Sequence, residues 1–411
     1  IPASAQQAAN PAVSASAQLT LDELRTFTDV FNQVRQNYVE PVDDAALLNA
    51  AITGMLAELD PHSSYLPNRE FLDLENSAKG QYVGIGIDVA PDKGRILVKQ
   101  VISPSPADSA GINPGDFITY VNQKSVKGRP VQEAIDELNG PPGSAIELVI
   151  LKPDAGSSTL TLKREFVKVP ALNFRLLENR YGYFQIVYFH RDTATDLKQA
   201  LDSVLADDVR LDGLILDLRD NPGGVLQPAI DTADGFLDQG TIVTMRGRNT
   251  SMQLEYSAKP GQWLPSIPLV LLVDRGTASA SEVLAGALQD HRRAVLIGQR
   301  TFGKGSVQSV LALRNGAGIK LTTARYYTPS GKSIQAEGIL PDLVVAEAMQ
   351  PVTISDERIR EVDLDRHLDN EAENTSEVKP EDVRMEEDYP LYEALQVLRL
   401  GHILTSSDEP E

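Results

Sequence analysis

Residues 269–291 read LVLLVDRGTASASEVLAGALQDH, and this stretch decides the fold class. Leu269 to Val273 is an unbroken apolar run of strand length, as expected of a strand covered on both faces. Asp274 to Ser279 is turn-forming, and Ala280 to Gln289 has the spacing of a helix lined with small residues. The same alternation recurs on either side. Tyr183 to Phe189 reads as a strand and Leu197, Leu201, Val204 and Leu205 as a helix. Leu214 to Leu218 reads as a strand, Ile230, Ala233 and Leu237 as a helix, and Ala294 to Ile297 as a strand. Strands separated by helices imply βαβ crossovers, whose sites gather where strands hand over to helices. The chain is therefore α/β within a multidomain α+β architecture, with this unit at 167–350.

Outward from it, 79–166 has short apolar alternations at Gly84 to Val89, Arg95 to Val101 and Ala145 to Leu151. A helical pattern (Val131, Ile135, Leu138) and the breaker Gly140-Pro141-Pro142-Gly143 lie between them, which predicts a small β-barrel-like binding module with one groove-forming helix. Residues 20–78 carry two amphipathic patterns, Leu21 to Tyr38 and Leu47 to Leu59, joined near Pro41. Asp60, Pro61 and the Ser63-Ser64 pair end the second helix. Residues 1–19, rich in Ala, Ser and Gln, are expected to be a flexible lead. Residues 351–411 hold 18 acidic and 6 basic residues, which predicts a solvated acidic tether before a docking helix at Leu391 to Leu404.

The 411 residues carry 38 Lys and Arg against 58 Asp and Glu, a formal charge of −20. Such acidity argues against general binding of nucleic-acid backbones. Of that charge, −12 belongs to 351–411, so the first 350 residues carry only −8. The longest apolar run, Ile267 to Val273, is too short to span a bilayer. The absence of cysteine excludes thiolate catalysis, disulfides and cysteine-based metal sites. The five histidines form no metal-ligand spacing, and no phosphate-binding glycine motif is present, so neither metal nor cofactor is expected. The chain begins at Ile1 and lacks a basic or apolar targeting segment, as expected if an export signal has been removed or left out.

Three segments of 167–350 have the residue types for covalent catalysis. In Leu218-Arg219-Asp220-Asn221-Pro222-Gly223-Gly224 the glycines allow backbone N–H groups to approach a ligand closely, although a glycine pair alone is also a plain strand-to-helix turn. Ser279 and Glu282 form an S-x-x-E capping box. The alternative reading is a serine hydroxyl held where the Ala280 N–H and the helix start can stabilise an oxyanion. In Thr301 to Gln308 a lysine stands between two glycines; it is either a solvated loop residue or a base. To act as a base its pKa would have to fall from about 10.4 to about 7 or 8, at a cost of roughly 3–5 kcal/mol. Gln308, four residues on, would share a face with Lys304. A Ser279–His291 pair is excluded, because the intact helix separates them by about 18 Å.

Taken together, GTASASEVLAGALQDH (276–291), TFGKGSVQ (301–308), LRDNPGG (218–224) and LTTARYYTPSGKSIQ (321–335) resemble the carboxyl-terminal processing proteases, also called tail-specific proteases, over about residues 20–348. The resemblance implies a crotonase-like core and a serine endopeptidase acting near protein C-termini. Ser279 would be the nucleophile, Lys304 the general base and Gln308 the residue orienting it, with Gly224 and Ala280 supplying the oxyanion N–H groups. Ser281 is the competing nucleophile, and the 25-residue spacing from Ser279 to Lys304 favours Ser279. Residues 79–166 resemble a PDZ domain. Gly84, Ile85, Gly86 and Ile87 would hold a substrate's C-terminal carboxylate, Val131, Ile135 and Leu138 would line the groove, and Arg164 would couple occupancy to the active site. The resemblance also implies a homo-oligomer through the N- and C-terminal helices, a periplasmic location and a helical-repeat lipoprotein adaptor delivering cell-wall hydrolases. A non-catalytic PDZ scaffold, or a protease latent until an adaptor or substrate engages, remain alternatives.

Overall fold

The computed structural model describes residues 19–153, 156–206, 210–345 and 388–406, with side chains described up to residue 401. The flexible lead expected at 1–19, apart from Leu19, and residues 351–387 of the acidic tether expected before the docking helix lie outside the described residues.

The N-terminal segment contains α1 (Leu21–Asn37), α2 (Asp44–Ala57), β1 (Ser64–Leu66) and α3 (Asn68–Ala78). Thr20 and Glu23 cap α1 reciprocally. Yet Leu21, Leu24, Phe27 and Val30 along this helix are all exposed, and none of its residues is buried. The second unit comprises β2 (Gln81–Gly84), β3 (Ile87–Asp92), β4 (Arg95–Val101), α4 (Pro106–Ser109), β5 (Phe117–Val121), β6 (Lys124–Ser125), α5 (Val131–Asp136), β7 (Ala145–Lys152), β8 (Gly156–Lys163) and β9 (Glu165–Lys168). It packs around its own cluster, including Ile85, Ile96, Ile118, Ile146 and Ile150. The alternation expected from Gly84 to Val89 is broken at Gly86, whose φ of +86° ends β2 and lets β3 start in a new direction.

In the third unit follow β10 (Leu172–Leu177), β11 (Tyr181–Ile186), α6 (Thr193–Ala206), β12 (Gly213–Asp217), α7 (Leu226–Phe236), β13 (Thr241–Gly247), β14 (Leu254–Ser257), β15 (Leu269–Val273), α8 (Ala280–Asp290), β16 (Val295–Gly298), β17 (Ser306–Ala312), β18 (Gly318–Tyr327) and β19 (Leu343–Val344). The chain closes with α9 (Tyr389–Ser406). One sheet has the order β10-β11-β12-β15-β16-β19 and is parallel from β11 onward. Its strands alternate sides in the manner of any pleated strand. Leu214, Leu216, Leu269 and Leu271 point to α6, α7 and α8, whereas Ile215, Val270 and Leu272 meet Leu391, Ala394, Leu395 and Leu398 of α9. This two-sided burial is why Leu269 to Val273 reads as continuously apolar.

A second, antiparallel sheet joins β13, β14, β17 and β18 with β1. The N-terminal segment thus supplies a strand to the third unit, with Ser64 paired to Lys320. None of β13, β14, β17 and β18 is expected from the sequence reading. A bulge between Val307 and Gln308 interrupts the pairing with β18, so the simple i, i+4 alternation no longer decides which way Gln308 faces.

Candidate active site

The site forms where β12 and β15 end. Asn221, fully buried, donates from Nδ2 to the Ile186 carbonyl (2.8 Å) and accepts the Gly223 N–H on Oδ1 (2.9 Å). Its own carbonyl receives the Ala278 N–H (2.9 Å) and the Ser281 hydroxyl (3.2 Å). Asp274 accepts from the N–H groups of Asp220, Gly276 and Thr277 and from the Thr277 hydroxyl. These bonds knit the loops 218–224 and 274–281 together, leaving few buried polar groups to be paid for elsewhere.

Gly223 fits against Ser279: a Cβ built on it would lie 2.9 Å from Ser279 Cβ and 3.0 Å from the Ala280 nitrogen. Gly224, at φ +133°, abuts the Phe189 carbonyl. The N–H groups of Gly224 and Ala280 enter none of the backbone hydrogen bonds made by their neighbours. Ser279 is the residue before α8 and holds φ +57°, ψ −116°, a conformation L-residues rarely adopt. Ser281 is fully buried and spends its hydroxyl on Asn221. His291 caps the far end of α8 and contacts the Thr241 carbonyl.

Glu282 joins the two halves of the site. Its fully buried carboxylate accepts from the Ser279 N–H (2.8 Å), the Thr301 hydroxyl (2.5 Å), the Gly303 N–H (2.7 Å) and the Lys304 N–H (2.8 Å). Burial raises its pKa, and those donors oppose the rise. The S-x-x-E spacing pointed to the Ser279 contact; nothing local in the sequence marks the other three.

Lys304 is half-buried. Its pKa lies below the usual lysine value, first through burial and then through the charge of Lys320, with Glu282 opposing. No hydrogen bond joins Ser279 Oγ to Lys304 Nζ. Gln308 donates instead to Ser306 Oγ (2.8 Å) and Thr322 Oγ1 (3.4 Å). His62, which sequence reasoning passed over, has a pKa lowered by burial and then by the charge of Lys304.

In the second unit Ile85 is buried, and Gly86 packs so closely on Ser105 that a Cβ would lie 2.1 Å away. Tyr82 folds across Gly84, with its phenol beside the N–H groups of Gly86 and Ile87. Burial raises the phenol pKa and these groups oppose the rise. Val131 and Ile135 on α5 pack on the unit's core, and buried Leu138 follows just after the helix. Arg164 is buried and donates to the carbonyls of Glu137, Leu138 and Ala145 and to Ser144 Oγ. All four bonds stay inside the unit, so Arg164 makes no direct bond to the protease core in this structure. Among the described residues no cluster of His, Asp and Glu is arranged to hold a metal, and no helix is long and apolar enough to cross a membrane.

Comparison with known proteins defines the class. Residues 180–345 match the family model described as peptidase family S41, 72–151 match the PDZ domain, and 2–70 match the activating protease CtpB N-terminal domain. A carboxy-terminal-processing protease from Bartonella bacilliformis is 38% identical over 403 residues, covering 96% of this chain and 92% of the relative. Carboxy-terminal processing protease CtpA of Bacillus subtilis is 36% identical over 315 residues, covering 76% and 67%. A solved photosystem II D1 C-terminal processing protease shares 31% identity over 80% of this chain and 94% of its own, with a TM-score of 0.49. The chain belongs to the carboxy-terminal processing proteases of peptidase family S41, serine peptidases that here carry a PDZ domain.

Proposed function

We propose that this protease cleaves protein substrates near their C-termini with Ser279 as nucleophile, Lys304 as general base and Gln308 orienting the lysine. Lys304 takes the Ser279 proton and the alkoxide attacks the scissile carbonyl. The N–H groups of Gly224 and Ala280 hold the oxyanion, the amine leaves with the proton, and water releases the acyl group. The observation that carries this reading is the Glu282 carboxylate, which binds the backbones of Ser279 and Lys304 at once and so ties nucleophile and base to one anchor. With casein or a tailed substrate, Ser279→Ala and Lys304→Ala should each lose about 10³-fold or more in kcat. Cleavage at the parent rate by either variant overturns the assignment.

A latent resting form is the second reading, supported by the missing Ser279–Lys304 hydrogen bond; catalytic hydrogen bonds often tighten only with substrate present. The loop Gly84 to Ile87, with Val131, Ile135 and Leu138, would bind the substrate C-terminus as an added strand. A carboxylate would first have to displace the Tyr82 phenol. Arg164 would act by holding the end of α5 and so the groove. Activity that does not change when the PDZ unit is deleted would remove this gating. We further read the exposed apolar stripe of α1 as a self-association surface, and take the periplasmic location and lipoprotein adaptor from the family resemblance.

A further inference from the structure

The loop 218–224 is held from behind by the stretch between β11 and α6. Phe189 donates its N–H to the Gly223 carbonyl (2.8 Å) and accepts the Val225 N–H on its own carbonyl (2.7 Å), a parallel bridge centred on Gly224. The Gly223 carbonyl and the Gly224 N–H belong to one trans peptide, in which the two point in opposite directions. With the carbonyl turned to Phe189, the Gly224 N–H faces away from it. Gly223 itself abuts Ser279 and the Ala280 nitrogen. The place of Phe189 therefore sets the direction of the Gly224 N–H.

His190, next in the chain, is locked in place. Its side chain is only 2% exposed and lies against Gly80, where a Cβ would come within 2.6 Å of Cγ and Cδ2. Its N–H donates to Thr193 Oγ1 (2.9 Å), and Nδ1 accepts the Asp192 N–H (3.2 Å). The Arg191 N–H reaches the Ala78 carbonyl at the end of α3 (3.0 Å), and the Gly80 carbonyl accepts the Val169 N–H (2.8 Å). Gly80 leads into β2 and Val169 follows β9, so both connections of the PDZ unit converge beside this ring. Because Nδ1 accepts, the neutral ring carries its proton on Nε2. That nitrogen is buried with no hydrogen-bond partner among the described residues, the Asp196 carboxylate standing 4.0 Å away. A buried donor left unsatisfied costs stability, so the use of this side chain lies in the shape of its ring.

We propose that His190 is a positioning residue: wedged against Gly80, it holds Phe189 to Gly223 and so aims the Gly224 N–H at the oxyanion. The inference rests on the reading in which Gly224 supplies that N–H. Loss of the wedge lets the 223–224 peptide rotate. Removing one oxyanion donor outright costs about 10²–10³-fold in kcat, which bounds the effect of misaiming it.

The test reads kcat, KM and the rate of Ser279 acylation by a fluorophosphonate probe, which has no peptide tail and so bypasses the PDZ groove. His190→Ala should lower kcat and acylation together, roughly 10- to 100-fold, with KM within about twofold. His190→Phe keeps a ring against Gly80 and should hold the parent rate. His190→Asn keeps an acceptor for the Asp192 N–H but no ring, and should be as slow as His190→Ala. Gly80→Ala pushes on the ring, so it should slow the parent yet add no further loss to His190→Ala, where the ring is gone. Parent-like acylation by His190→Ala, a fast His190→Asn beside a slow His190→Phe, or losses that multiply in the Gly80→Ala, His190→Ala pair overturns the proposal. If His190→Ala unfolds, His190→Phe, His190→Asn and Gly80→Ala decide without it. Ser279→Ala in parallel separates the two levels. An inactive Ser279→Ala beside a parent-like His190→Ala sinks only the wedge, whereas an active Ser279→Ala sinks the underlying reading and the wedge with it.

Discussion

The serine side and the lysine side of the site are built differently. Around Ser279, the buried Asn221, Asp274 and Glu282 each satisfy several backbone groups, on loops rooted in a parallel sheet covered on both faces. Around Lys304, the supports are antiparallel strands with exposed Val310 and Leu311, a bulge at Val307/Gln308 and hydroxyl-mediated contacts to a turn from the N-terminal segment. Buried, fully satisfied networks resist deformation, whereas half-exposed side chains change partners cheaply. The loops around Ser279 are thus held rigidly, and the Lys304 side is the easier of the two to adjust.

Three substitutions test this contrast. The largest effect is expected for Glu282→Gln. It turns an amide NH₂ toward backbone donors and should cost about 3–5 kcal/mol in core stability along with most of the activity, read by thermal unfolding and kcat. If stability holds, Glu282 is not the common anchor. Smaller is Asp388→Ala. Arg219 lies between Asp217 and Asp388 at the start of α9, and Tyr183 also donates to Asp217. Losing one arm should cost about 1–2 kcal/mol and speed hydrogen exchange in 389–401 while the loop 218–224 keeps its protection. Smallest in stability is Lys320→Met, expected within about 0.5 kcal/mol of the parent. Its effect lies in pH dependence. Burial first and then repulsion from Lys320 lower the Lys304 pKa, with Glu282 opposing. Removing that charge raises the Lys304 pKa, so the rise of kcat/KM with pH should move to higher pH. A shift to lower pH, or none, would mean Lys304 is not the titrating base.

The serine side was largely legible in the sequence. Covered strands read as apolar runs, and the turns that follow them need glycine or a capping residue, so Gly223, Gly224, Ser279 and Glu282 stand out locally. The lysine side was not. Thr322 finds Ser63 from 259 positions away, and Glu282 finds Thr301, Gly303 and Lys304 from 19 to 22 away. Strands β17 and β18 are half-exposed, so their alternation is weak, and a bulge leaves no local mark. The terminal helices show the same limit. Both α1 and α9 read as amphipathic, but only the fold reveals that α9 buries Leu391, Leu395 and Leu398 on its own sheet while α1 leaves its stripe uncovered.

The backbone of Ser279 carries one more consequence. At φ +57° and ψ −116° it sits where only glycine is at ease, and holding an L-residue there costs roughly 1–3 kcal/mol. Alanine keeps that burden, whereas glycine sheds it against an unfolded-chain penalty of about 0.5–1 kcal/mol. Two substitutions at this position should therefore differ: Ser279→Ala should melt near the parent, and Ser279→Gly should melt higher. Stability is forgone at this one position to hold a hydroxyl at the start of α8.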